Sequence, residues 1–283
     1  MSEWTSGLLN LYQWLMTTAF GMIAQILQQT PYAFSPTAHG VVQSISTVVT
    51  NFSFALLAFF FLTDLLGTTI NFRVKKFEDV IPLILQLILG GVILRASFWI
   101  CTTIFGLFAS LVGDISGGVD MALMTEGIEE FVTNTQSLLD DLGFIENALV
   151  FLFTLIFLLS VFGMLLSCIL VPITIMFEIY VYSAFAAIPL SSLLSSQKSI
   201  AINFIKAYAG VCLRGALILL GMLLATHVMN SPILRLDDPS ASGVVVEGFA
   251  LMLVPILQLS LNLMIFQKAV QSADKFSRSL VGG

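Results

Sequence analysis

From Ala148 to Leu194 the chain is apolar almost throughout and carries a single charge, Glu178. About 20 mainly apolar residues suffice for a helix to cross a bilayer, so this run holds more chain than one crossing needs. Apolar residues make up 58% of the sequence and charged ones 10%, with a mean hydropathy of +1.00. Such a chain has too little polar surface to cover a soluble globule. Only helices and closed barrels satisfy their own backbone in hydrocarbon, and runs of this length fit helices. The fold class that follows is all-α, a polytopic helical membrane protein.

Other runs repeat the pattern. Ser44 to Leu66, with the segment FSFALLAFFFLTDLL, supplies one crossing, and Val80 to Val112 a second. Ala148 to Val171, Ala209 to Val228 and Gly248 to Phe266 complete a set of about five transmembrane helices. Ahead of them, Leu8, Tyr12, Leu15, Met16, Ala19, Met22, Ile23 and Ile26 recur at helical spacing among polar residues. This predicts an N-terminal amphipathic helix that lies along the outer interface, the alternative being a sixth span. The domain reading is an extracytoplasmic helical segment over 1–40 and a transmembrane domain over 41–283.

Charge gives the orientation. Asp114, Asp120, Glu126, Glu129, Glu130, Asp140, Asp141 and Glu146 lie between Val112 and Ala148 with no Lys or Arg among them, which marks 113–147 as an acidic outer loop. Arg73, Lys75 and Lys76 occupy one inter-helix segment, Lys198 and Lys206 another, and Lys268, Lys275 and Arg278 the C-terminal tail. Basic residues stay on the cytoplasmic side, so the N-terminus is expected outside and the C-terminus inside. The net charge of -6 implies no basic partner, because the membrane separates the two signs.

This orientation bears on Pro172 to Leu194. As a full crossing, that segment would put Lys198, Lys206 and the basic tail outside and Asp237 and Asp238 inside. A broken or re-entrant segment bounded by Pro172 and Pro189, beginning and ending on the cytoplasmic side, keeps every charge signal consistent. Spanning remains the alternative. Irregular backbone at that depth must be buried in protein or line a wet cavity.

Glu178, Arg95 and Arg214 stand inside apolar runs, where each charge costs about 2.5 to 3.5 kcal/mol on insertion scales and is usually paired or faces a cavity. An ion pair between Glu178 and Arg214 is geometrically reasonable, with Arg95 the competing partner. The pair either fixes helix packing or lines a translocation path. Asp64, near the inner end of the first crossing, faces the basic turn that starts at Arg73. Lys206 reads as a snorkelling side chain. Cys101, Cys168 and Cys212 fall in apolar runs without metal-ligand spacing, and His39 and His227 are isolated, so no metal and no cofactor is expected. Nucleotide-binding, hydrolase and zinc-protease motifs are missing, and the expected protein is not an enzyme.

Between Met176 and Leu220 the polar residues form a recognisable series. Glu178, Ile179 and Tyr180 make an E-I-Y triplet, Ile188 and Pro189 follow a small-residue stretch, and Asn203, Phe204, Ile205 and Lys206 open a helix with a Gly downstream. The series resembles the TrbL-like polytopic subunit of conjugative type IV secretion systems, especially the form in conjugative elements of Gram-positive bacteria. It departs from that form at the turn, where Ser195, Ser196, Gln197 and Lys198 stand in place of an acidic and aromatic R-E-W-G kind of sequence. The resemblance implies a non-enzymatic channel or scaffold subunit in the cytoplasmic membrane, present in several copies. Its implied partners are membrane lipid, other copies of itself, the secretion ATPases, the bitopic membrane subunits and transferred single-stranded DNA with its relaxase. One copy carries too few lining charges to guide a nucleic-acid strand, so an oligomer would have to build the path. A small-solute transporter or channel, and a purely structural membrane anchor, are the alternatives.

Overall fold

A computed structural model describes residues 2–70, 81–117, 144–229 and 264–273, together with 129, 132, 133, 136, 260, 261, 275, 276 and 279. Among the described residues there is no strand. The helices, in chain order, are α1 (Ser2–Gln28), α2 (Pro31–Phe34), α3 (Pro36–Ile70), α4 (Ile81–Gly117), α5 (Phe144–Phe185), α6 (Ala187–Leu190) and α7 (Ser199–Met229). Residues 264–273 are also helical.

Four of these helices are long and apolar enough to cross a membrane, over Pro36–Gly67, Ile84–Ile115, Ala148–Phe185 and Ser199–Ala225. They overlap the first four expected crossings. The fifth, Gly248 to Phe266, lies mostly outside the described residues. The expected boundary between 40 and 41 falls inside α3, while α4 continues to Gly117 and α5 begins at Phe144 within the expected acidic loop.

The chain divides into two compact units. Unit 1 comprises 1–28, 111–173 and 216–276; unit 2 comprises 29–110, 174–215 and 277–283.

In unit 1 the apolar stripe of α1 is covered by protein. Leu9, Tyr12, Met16, Ala19, Phe20, Ile23 and Leu27 are buried, and Trp4 and Trp14 stand exposed on the other side. Tyr12 meets the Phe157 ring at 6.2 Å, and Phe20 packs edge-on against Phe266 at 4.5 Å. Burial pushes the Tyr12 phenol pKa up, because the ionised form loses its hydration there. Amphipathic spacing alone reports that one face is apolar; it does not say whether lipid or protein covers that face. Here protein does.

Unit 2 begins with two successive helix starts of the same design. Thr30 caps α2 through its side-chain oxygen and Pro31 follows, then Ser35 Oγ accepts from Ala38 N ahead of α3, with Pro36 between them. Both prolines occupy first-turn positions, where a missing N–H costs nothing. Along α3 the hydroxyls of Ser44, Thr47, Thr50 and Ser53 donate to carbonyls one turn back, so they ride in an apolar helix without an unmet donor.

Pro172 does not break its helix. α5 runs unbroken through it to Phe185, which corrects the expected break at that proline. Proline removes one N–H bond from the helix, and spanning helices tolerate it where neighbouring groups re-satisfy the backbone. The interruption lies further on, at 186–198. There Pro189 sits inside the single turn of α6, and Ser191, Ser192 and Ser195 donate their hydroxyls to Ile188, Pro189 and Ser192 carbonyls at 2.6, 2.8 and 2.8 Å. Ser191 and Ser192 are fully buried. The Ser-rich sequence therefore satisfies its own tight turns and permits α6 to pack against α3.

Glycines mark close approaches in each unit. A Cβ at Gly221 would lie 3.3 Å from the Ala269 carbonyl oxygen, whereas one at Gly90 would meet only the end of the Leu57 side chain, at 2.7 Å. Backbone cannot swing aside as a leucine tip can. Gly221→Leu is expected to cost about 1 to 3 kcal/mol, seen as a lower thermal midpoint in detergent. Gly90→Ala is expected to shift the midpoint less.

Candidate functional site

Unit 2 collects most of the polar side chains that the apolar runs carry. Glu178 on α5 and Arg214 on α7 form an ion pair, with Arg214 Nη1 3.0 Å from Glu178 Oε2. The arginine side chain is 10% exposed and the glutamate 31%. Burial is thus uneven: the guanidinium is the enclosed partner, and the carboxylate reaches it from a more open position. Arg95 does not compete for Glu178. It is exposed on α4 and makes no hydrogen bond or ion pair among the described residues.

Two tyrosines on the helices that carry the pair fasten the neighbouring backbone. Tyr180 is buried and donates its hydroxyl to the Pro31 carbonyl, with the Ser35 carbonyl at 3.5 Å. The E-I-Y triplet thereby ties α5 to the ends of α2. Tyr208 on α7 donates to the Cys101 carbonyl of α4 at 2.8 Å and lies 3.5 Å from Ser183 Oγ. Its ring stacks with Phe204 at 6.3 Å and leans on Tyr182 at 6.0 Å. Tyr208 was not a sequence candidate. The signal that could have found it is its place two residues after Lys206, in the helix that also carries Arg214.

At the end of α3, Asp64 accepts from Ser196 N at 3.1 Å and from Ser196 Oγ at 2.6 Å. The expected partner, the turn from Arg73 through Lys75 and Lys76, lies outside the described residues. Ser196 belongs to the serine turn that departs from the resemblance noted above, so this turn has a structural task in this chain: it holds the α3 end. A small cavity with room for about one water adjoins it, lined by Asp64, Gln86, Ser191 and Ser195 among apolar neighbours.

The remaining candidates separate from the cluster. Lys198 and Lys206 are exposed near the start of α7, Pro172 is buried inside α5, and Pro189 sits in α6. His39 packs between the Tyr32 and Phe98 rings, at 5.5 and 5.3 Å. Cys101, Cys168 and Cys212 are buried free thiols. Among the described residues no His, Cys, Asp and Glu side chains group as a metal site.

A family model described as TrbL/VirB6 plasmid conjugal transfer like protein matches residues 16–187. The matched span takes in Asp64, Arg95, Glu178 and Tyr180 and ends before Arg214. No curated protein and no solved structure matches the chain.

Removing one member of an enclosed ion pair strands the other. Glu178→Leu, which leaves the more buried arginine without its carboxylate, is expected to cost about 3 kcal/mol. Arg214→Leu should cost less, and the double variant should recover part of the loss, all read as thermal midpoints in detergent. Tyr180→Phe deletes one hydrogen bond and should cost about 1 kcal/mol.

Proposed function

The chain belongs to the TrbL/VirB6 plasmid conjugal transfer-like family, a membrane component of conjugal transfer, and we propose that it serves as a channel or scaffold subunit of a conjugative type IV secretion system. In this reading it sits in the cytoplasmic membrane in several copies. It helps pass relaxase-bound single-stranded DNA across, beside the secretion ATPases and bitopic subunits, and performs no catalysis of its own. The observation that carries the proposal is the family match over 16–187.

Two structural features support it. Charge is placed inside the apolar helices and held there by dedicated partners, as Glu178 is by Arg214. Intramembrane ionisable residues are expensive and mark functional positions. In addition, exposed Lys198 and Lys206 flank the serine turn and the start of α7, where the positive-inside rule assigns the cytoplasmic side. That assignment gives α3 and α5 an inward direction and α4 and α7 an outward one, with the N-terminus extracytoplasmic and the C-terminus cytoplasmic.

Deleting the gene from a donor is expected to lower transfer of the native element by several orders of magnitude, with recovery on complementation. Unchanged transfer would sink the proposal. For the orientation, a Gln197→Cys variant should react with a membrane-impermeant maleimide only after the cytoplasmic face is opened. Labelling in intact cells would invert the topology.

A further inference from the structure

Arg95 is the one cation on the outward face of α4 among the described residues, and an arginine is always ionised. It lies on an exposed stripe in which Ile81, Ile84, Ile88 and Val92 precede it and Trp99 follows. It makes no hydrogen bond or ion pair among the described residues. Intramembrane charges are usually paired, and a carboxylate brought by another chain would meet that need.

The chain itself displays one. Glu178 gives Oε2 to Arg214, while Oε1 has no partner among the described residues and the side chain keeps 31% of its exposure. Around it stand the exposed Phe177, Val181 and Phe185. The other carboxylate held in unit 2, Asp64, has both oxygens directed at Ser196. Arg95 with its rim of Val92 and Trp99 thus matches Glu178 with its rim of Phe177, Val181 and Phe185. Each is a charge centred in apolar surface that would shut out solvent on contact.

We propose that Arg95 of one copy pairs with Glu178 of a second copy, so that α4 of one protomer docks on the α5 end of the next. The proposal rests on the reading of the chain as a multi-copy subunit and names the surface that joins the copies. Because the two patches differ, the contact is head-to-tail, which builds a ring where the rotation from copy to copy closes. Each Glu178 then bridges two guanidinium groups, Arg214 within its own chain and Arg95 from the neighbour.

The test is photo-cross-linking of the full chain in its native membrane, with benzoylphenylalanine in place of Val92 or Trp99. Both positions are exposed, so the probe displaces no core. The expected product is a covalent dimer whose joined peptide falls within 174–185, and Arg95→Gln in the same background should cut its yield by about tenfold or more. Since Arg95 makes no hydrogen bond or ion pair among the described residues, that variant should keep the wild-type thermal midpoint in detergent. A product confined to lipid, to another protein or to a different segment of the second copy, or no dimer at all, overturns the pairing, as does a yield indifferent to Arg95→Gln. Transfer frequency after gene deletion is read separately. A failed cross-link with a strong transfer defect removes this interface alone, whereas unchanged transfer removes the functional reading.

Discussion

A hydrocarbon layer offers no hydrogen bonds, so every polar group that enters it must bring its own partner. That constraint accounts for most of the polar geometry in this chain. Hydroxyls on α3 turn back to carbonyls one turn away, the serines at 191–195 close their own turns, and Glu178 meets Arg214. Tyr180 and Tyr208 each deliver a hydroxyl to a carbonyl on another helix. Small residues do the complementary work: Ala184, Ala186, Ala187 and Ala201 are fully buried around the helix interruption, where large side chains would hold the backbones apart.

The consequence for function lies in where charge is allowed to remain. Glu178 is held from one side by a buried guanidinium and left partly open on the other, while Arg95 is exposed on an apolar face without a hydrogen bond or ion pair among the described residues. The guanidinium is the enclosed partner and the carboxylate the more open one. In a family of conjugal transfer proteins, such a position fits a subunit whose working surface is completed by neighbouring chains.

Much of this was legible before any fold was known. The apolar runs located α3, α4, α5 and α7, and the cost of intramembrane charge singled out Glu178 and Arg214, which do meet. Legibility failed where a local rule has more than one physical resolution. Proline usually ends a helix, yet α5 continues through Pro172 because a spanning helix can give up one bond. Charge patterning points Asp64 at the basic turn and gives no hint that it also accepts from Ser196. Tyr208 passed unnoticed because an aromatic residue in an apolar run reads as ordinary core.

The sequence by itself determined that the chain is helical, roughly where its first four crossings lie and which residues are too costly to be incidental, since these follow from hydropathy and charge, properties each residue carries with it. Only the tertiary structure decided that the apolar stripe of α1 packs on protein, that the interruption falls at 186–198, and that Glu178 takes Arg214 and leaves Arg95 outside. Those outcomes are choices among partners. A partner is set by distance and direction between helices far apart in the chain, which no local pattern encodes.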